Sequence, residues 1–329
     1  MRQLQSYRMF GLALLVGVAS VLMVTLHTGQ ASAQSETAKA IKVSPVRSEL
    51  TIEAGKSAKV STFVTNTTKA AVNYKIIEND FVAGDDEGTP SLILDENSYA
   101  PTHSLKRFML PVSGVTVAPG ATQQVDITIT VPKSAQAGGY FGAVRFVAGA
   151  NAGSMVNFDA SATSLILMTV PGDLVENLSL TNFEVRQNGN AAGNFRNADK
   201  LDLLVKFENT GNVQVAPYGK VSVTKGDKVV YSSDFNGGDP RGNVLPDSSR
   251  KWTVPLNNIG KFGKYTVHAT FSYGTKNKTL DITKTIWIVP TMYIIGAIAA
   301  LAVIFLILGL LVMLIRAKRA NRSRGFRRR

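Results

Sequence analysis

Val125-Asp126-Ile127-Thr128-Ile129-Thr130-Val131 places four β-branched apolar side chains on one face of an extended chain and three polar ones on the other. Successive side chains of a strand point to opposite faces, so this alternation predicts a strand with one buried face. Further along, Tyr265, Val267, Ala269 and Phe271 alternate with Thr266, His268, Thr270 and Ser272 in the same way. Shorter runs of this kind lie around both. Lys59–Thr65, Val72–Ile77, Leu105–Leu110, Tyr140–Val147 and Ser164–Val170 are strand candidates in the first half. Leu201–Phe207, Gly219–Thr224, Lys228–Tyr231 and Leu280–Ile286 are candidates in the second, with Lys225-Gly226-Asp227 as a turn. No window of a dozen residues before the C-terminal apolar run carries a helical stripe. Short strands separated by Gly, Pro and Asn, without intervening helices, predict an all-β chain: two immunoglobulin-like β-sandwiches in tandem. Pro171-Gly172-Asp173 is the expected boundary, giving one sandwich over residues 34–172 and a second over 173–285.

The 329 residues carry a formal charge of +13 and no cysteine. Ten of the 36 basic residues lie in residues 1–33 and 286–329, which hold no acid, so the middle has 26 basic against 23 acidic residues. A net +3 spread over two sandwiches removes the electrostatic case for nucleic acid. The missing cysteines exclude a disulfide framework, a thiolate metal site and a thiol nucleophile.

Arg2 and Arg8 precede the apolar run Phe10–Leu26, and Ala31-Ser32-Ala33 supplies small residues where a signal peptidase reads. The pattern predicts a secretory signal over residues 1–33, cleaved after Ala33, with an uncleaved anchor as the alternative. A second run, Met292–Ile315, has 24 residues without a charge. At a rise of about 1.5 Å per residue it spans a hydrocarbon core of about 30 Å with room for tilt. Residues 286–315 are therefore read as a juxtamembrane segment and transmembrane helix, with Trp287 and Tyr293 suited to the interface. Arg316, Lys318, Arg319, Arg322, Arg324, Arg327, Arg328 and Arg329 follow in residues 316–329. So basic a tail stays in the cytoplasm, which puts the large ectodomain outside a bacterial cell membrane crossed once.

Enzyme signatures fail individually. Gly55-Lys56-Ser57 lacks the earlier glycine of a phosphate loop, where Leu50 stands. Ser222-Val223-Thr224-Lys225 and Ser248-Ser249-Arg250-Lys251 have Ser-x-x-Lys spacing, but the first lies on a strand and the second reads as a polar loop. The motifs that accompany a serine acyl-enzyme are missing. His103 and His268 have no partner at i+4, and Asp85-Asp86-Glu87-Gly88 lacks the alternating oxygen ligands of a calcium loop, so a solvated acidic loop is expected there. The sequence thus predicts no enzyme, no catalytic, cofactor-binding or metal-binding residues and no cofactor. It assigns no ligand-binding residue.

Both halves carry a strand ending in an Asn-Thr turn: Val64-Thr65-Asn66-Thr67-Thr68 and Phe207-Glu208-Asn209-Thr210-Gly211. Asn accepts left-handed backbone angles and bonds back to its own main chain, which suits a sharp turn. Gly138-Gly139-Tyr140-Phe141-Gly142-Ala143-Val144-Arg145-Phe146 is a strand flanked by glycines that permit close backbone approach. With Gly242-Asn243-Val244-Leu245-Pro246, Phe262-Gly263-Lys264-Tyr265 and Ile286-Trp287-Ile288-Val289-Pro290, these stretches resemble the bacterial WxL-interacting protein family. The match covers the chain in layout and thins in the C-terminal half. The resemblance implies a peptidoglycan-binding N-terminal sandwich, host-protein binding by the second, and secreted partners bearing Trp-x-Leu motifs. The expected function is therefore a non-catalytic, membrane-anchored surface protein that binds peptidoglycan or another wall polymer, or partner surface proteins, in adhesion or as a scaffold. The alternative is a chaperone-like assembly factor that pairs a strand edge with secreted surface proteins.

Overall fold

The computed structural model describes residues 41–149 and 160–325, with side chains through Arg316. The expected signal segment and the last residues of the basic tail lie outside the described residues. Nine strands precede residue 171: β1 (Ile41–Ser44), β2 (Arg47–Thr51), β3 (Ser57–Asn66), β4 (Val72–Ala83), β5 (Pro90–Leu92), β6 (Val115–Val117), β7 (Thr122–Thr130), β8 (Gly138–Ala148) and β9 (Ser161–Val170). Nine follow: β10 (Leu178–Gln187), β11 (Asn190–Ala191), β12 (Asn194–Phe195), β13 (Leu201–Asn209), β14 (Tyr218–Lys225), β15 (Lys228–Phe235), β16 (Ser248–Pro255), β17 (Gly263–Tyr273) and β18 (Lys278–Ile288). A helix, α1 (Thr291–Gly325), ends the described chain.

The protein is all-β with two immunoglobulin-like sandwiches and one C-terminal apolar helix. In the first sandwich, a sheet of order β1-β3-β7 faces one of order β2-β9-β8-β4-β5, with β6 added beside β4. The residues that alternate in β7 do what their pattern predicts: Val125, Ile127 and Ile129 are buried against Val144, Phe146, Ile166 and Met168 of the opposite sheet. In the second sandwich, β11-β10-β13-β16 faces β12-β18-β17-β14-β15. Its core centres on Phe207, Phe235 and Phe271, whose rings lie 4.8–6.1 Å apart in tilted and edge-on contacts, the arrangement aromatic quadrupoles favour.

The paired Asn-Thr turns prove to be one device used twice. Asn66 is fully buried; its amide donates to Ala70 O (2.7 Å) and Val117 O (2.9 Å), and its oxygen accepts from Thr68 N (2.9 Å). Asn209, also fully buried, donates to Val213 O (2.8 Å) and Val244 O (3.0 Å) and accepts from Gly211 N (2.9 Å). Each amide closes its own turn and ties it to a segment distant in sequence. Val117 O and the groups bound by Asn209 are buried, so the side chain satisfies what water does not.

Three sequence readings are corrected. Leu105–Leu110 is not a strand: Lys106–Phe108 forms a 3-10 turn, with Leu105 and Met109 buried on one side. Ser248–Lys251 is not a polar loop but the start of edge strand β16, whose half-exposed residues give no alternation. Ile286–Ile288, read as juxtamembrane, are the last residues of β18, which pairs with β17 throughout. Beyond them Thr291–Arg316 is long and apolar enough to cross a membrane, with a mean hydropathy of 3.3 over its core window.

Replacing Asn209 or Asn66 by Ala leaves buried donors and acceptors without partners. Each such group costs about 1–3 kcal/mol, so either variant loses at least that much stability. Denaturant titration of the full chain in detergent measures the loss, and Asn97→Ala, at an exposed turn without a left-handed backbone angle, is the control expected to change little.

Candidate functional site

A concave surface lies where the two sandwiches meet. The loop between β4 and β5 is shaped locally: Asp85 accepts hydrogen bonds from Glu87 N (2.9 Å) and Thr89 N (3.0 Å), and Gly84 N donates to Thr89 O (2.8 Å). That turn presents Asp86 to the second sandwich. Its carboxylate lies 3.1 Å from Lys206 Nζ and 2.9 Å from Lys251 Nζ, its carbonyl accepts Lys251 N–H, and Glu87 adds a contact to Lys251 at 3.0 Å. Lys251, then Lys206, hold the Asp86 carboxyl below the ordinary carboxylate range by hydrogen bonding to its charged form. Leu245 from the second half packs with Phe81, Phe141 and Leu167 of the first, adding an apolar contact beneath the polar one. On the far side of β8, Gly139 N donates to Asn212 O (2.8 Å), and a Cβ on Gly138 would sit 2.8 Å from that oxygen. The glycines expected to allow close backbone approach do so here, against the other sandwich.

Between these contacts is a cavity of about 70 Å³ lined by Arg47 from β2, Arg250 from β16, Thr89, Asn243 and Leu245. It adjoins an open groove of about 450 Å³ bounded by Arg47, Glu49, Asp239, Arg241 and Asn243. Arg47 Nη2 donates to Arg241 O (2.7 Å) and pairs with Glu49 (2.9 Å), while Arg250 Nη1 donates to Asn243 O (3.1 Å). The Arg250 guanidinium lies over the Trp252 ring at 5.0 Å and against Gly88, where any Cβ would collide with it. Both arginines keep a buried Nε N–H with no acceptor among the described residues. Burial, and then the like charge of Arg47, push the Arg250 guanidinium below its ordinary pKa, while Asp85 opposes the shift. Two guanidiniums with spare donors at one cavity suit an oxyanion, and above all a carboxylate.

The structure disperses the residues considered for catalysis. His103 is bound through Nδ1 to Gly139 O (2.6 Å), and His268 contacts Thr224 Oγ1 (3.3 Å) in the second sandwich. Ser222 lies on β14, away from Ser248 on β16. No group of three His, Asp or Glu side chains that could hold a metal occurs among the described residues. In Asp85-Asp86-Glu87, Asp85 and Glu87 are exposed, as expected of a solvated loop, while Asp86 is partly buried and held by Lys206 and Lys251. Sequence reading did not single out Arg47 or Arg250. Arg47 sits in no motif, Arg250 is only a variable position of the Ser248–Lys251 string, and 203 positions separate them.

No family model and no curated protein matches the chain. Among solved structures it is similar to the class 5 fimbriae chaperone CfaA, at 14% identity over 74% of this chain and 98% of that one, with a TM-score of 0.39. It is similar also to a chain of the chaperone-tip adhesin complex of CFA/I fimbriae biogenesis (15% identity, 74% and 98% covered, TM-score 0.37). A third likeness is to the Pseudomonas aeruginosa CupB2 chaperone (12% identity, 74% and 99% covered, TM-score 0.32). Likenesses at TM-scores below 0.5 assign no function.

The clamp generates a pH dependence. The carboxyl of Asp86 is depressed from its ordinary 3.8, so its contribution is present above that value and lost as pH falls through the folded-state value. Asp86→Asn is expected to destabilise the full chain by up to about 1 kcal/mol near neutrality, as partly exposed pairs do. The difference from the parent chain should shrink as the pH falls below 3.8, read from denaturation midpoints at each pH. A difference that stays constant with pH would show that the Asp86 charge contributes nothing.

Proposed function

We propose that this chain is a non-catalytic, membrane-anchored bacterial surface protein, its sandwiches outside the cell, that captures a partner polypeptide at the cleft between them. The observation that carries the reading is the Arg47–Arg250 cavity, with two buried guanidinium donors left over. A carboxylate at that cavity would meet two positive charges, and a small shift of the side chains would bring it to the Nε N–H groups, which are costly to leave unpaired while buried. Both arginines also stand on sheet edges. Strand β2 pairs only with β9, and β16 only with β13, among the described residues. An extended segment running from the cavity along β2 would gain main-chain hydrogen bonds, which is recognition by strand addition. The chaperone-like alternative is therefore favoured over wall adhesion. Phe81, the aromatic residue in the cavity lining, is buried in an apolar cluster and offers no face to a sugar ring. Secreted proteins with Trp-x-Leu motifs, which the resemblance to the WxL-interacting family implies, are the first partners to try.

The test uses the full chain in nanodiscs with two arms, secreted surface proteins and intact peptidoglycan. Arg47→Gln with Arg250→Gln is expected to reduce capture of a secreted partner about tenfold or more, the scale of losing one charge-assisted hydrogen bond. Retention on peptidoglycan that ignores both arginines would overturn the reading and restore wall binding.

A further inference from the structure

The chain between the second sandwich and α1 has almost no slack. Trp287 N donates to Gly193 O and Val289 N to Phe195 O, both at 2.8 Å, and α1 begins at Thr291. Phe262, on the loop before β17, stacks on Tyr293 in the first turn of α1, with ring centroids 4.7 Å apart. Only Pro290 separates that last contact, at Val289, from the helix, so the base of the sandwich lies within about 10 Å of the bilayer surface if α1 crosses a membrane. That base consists of residues 188–200, 225–228 and 256–264 around the helix start. Its exposed charges are Arg196, Lys200, Lys225, Lys228, Lys261 and Lys264 against Asp199 and Asp227 only. The chain's interior is otherwise close to neutral, so the excess is placed there. Lys225, Lys228, Lys261 and Asn258 also border an open groove of about 440 Å³. Lys225 is fixed in it by a hydrogen bond from Nζ to Phe262 O (2.8 Å) and lies 5.5 Å over the Tyr265 ring.

We infer that this base is a docking surface for anionic lipid headgroups of the bilayer that α1 enters, with a lipid phosphate held in the groove by Lys225, Lys228 and Lys261. The inference rests on the reading that α1 spans a membrane. Lysines within a Debye length of an anionic surface are attracted to it, and exposed Phe262 and Trp287 suit the interfacial layer. The surface holds the sandwich upright at a fixed height, so that the cleft between the sandwiches faces away from the lipid.

Because the chain has no cysteine, Ala192→Cys places a single fluorophore at an exposed position of the base that does not line the groove. The labelled full chain is reconstituted in nanodiscs of phosphatidylglycerol or phosphatidylcholine carrying a headgroup nitroxide quencher. Quenching is expected to be about twofold or more stronger in the phosphatidylglycerol discs, and to fall to the phosphatidylcholine level at high salt. Lys225→Gln with Lys228→Gln and Lys261→Gln should abolish the difference, and soluble glycerol phosphate should not reproduce it in phosphatidylcholine discs. Equal quenching in both discs, with the chain incorporated, overturns the docking surface. An effect reproduced by glycerol phosphate assigns the groove to a free anion and overturns the lipid. A chain that does not enter discs at all overturns the reading of α1 itself.

Discussion

Asp86 reaches across the junction between Lys206 and Lys251 while its carbonyl takes the Lys251 N–H, and the shape of the cleft follows from that clamp. The ion pairs are partly exposed, each with side chains about 30% accessible, so their Coulomb energy is small, of order 1 kcal/mol or less. Their importance is directional. They fix the β4–β5 loop against the edge of β16, which sets Gly88 against Arg250 and brings Arg47 to the same cavity. The packing of Leu245 against Phe81, Phe141 and Leu167 supplies the non-directional part. With the Gly139–Asn212 contact on another side, the two sandwiches meet at separated points, which resists rotation about any one of them.

The same economy operates within each sandwich. Asn66 and Asn209 spend one buried amide on closing a turn and on tying it to another segment. The turn itself was legible, because Asn after an alternating strand is a local signal. The burial was not, because the carbonyls of Val117 and Val244 lie 51 and 35 positions away. Strands buried on one face, such as β7 and β17, were equally legible from their alternation. Strand β16 was not, because an edge strand covered by a charged loop from the other sandwich keeps Ser, Arg and Lys half-exposed on both faces. Leu105–Leu110 misled in the opposite way, its apolar residues spaced for a 3-10 turn and not for a strand.

The candidate site was the least legible part, for a physical reason. Its members come from three stretches far apart in sequence: β2, the β4–β5 loop, and β16 with the segment before it. The engagement of Asp86 was hidden because its cationic partners lie on β13 and β16. A cleft built by the meeting of two sandwiches leaves no spacing pattern in either. The membrane end is different: the apolar run Met292–Ile315 announces itself, and the basic residues around its start fall into three short loops that only the fold assembles.

The central claim is that the clamp makes the cleft a fixed feature and not a passing approach of two independent sandwiches. The cysteine-free chain permits spin labels at exposed Lys69, in the first sandwich, and Lys220, in the second. Their distance distribution by pulsed electron resonance, on the full chain in nanodiscs at neutral pH, tests the claim. A single narrow distance that broadens when Asp86 and Lys251 are both replaced by uncharged residues is the predicted result. A broad distribution in the unaltered chain would contradict it.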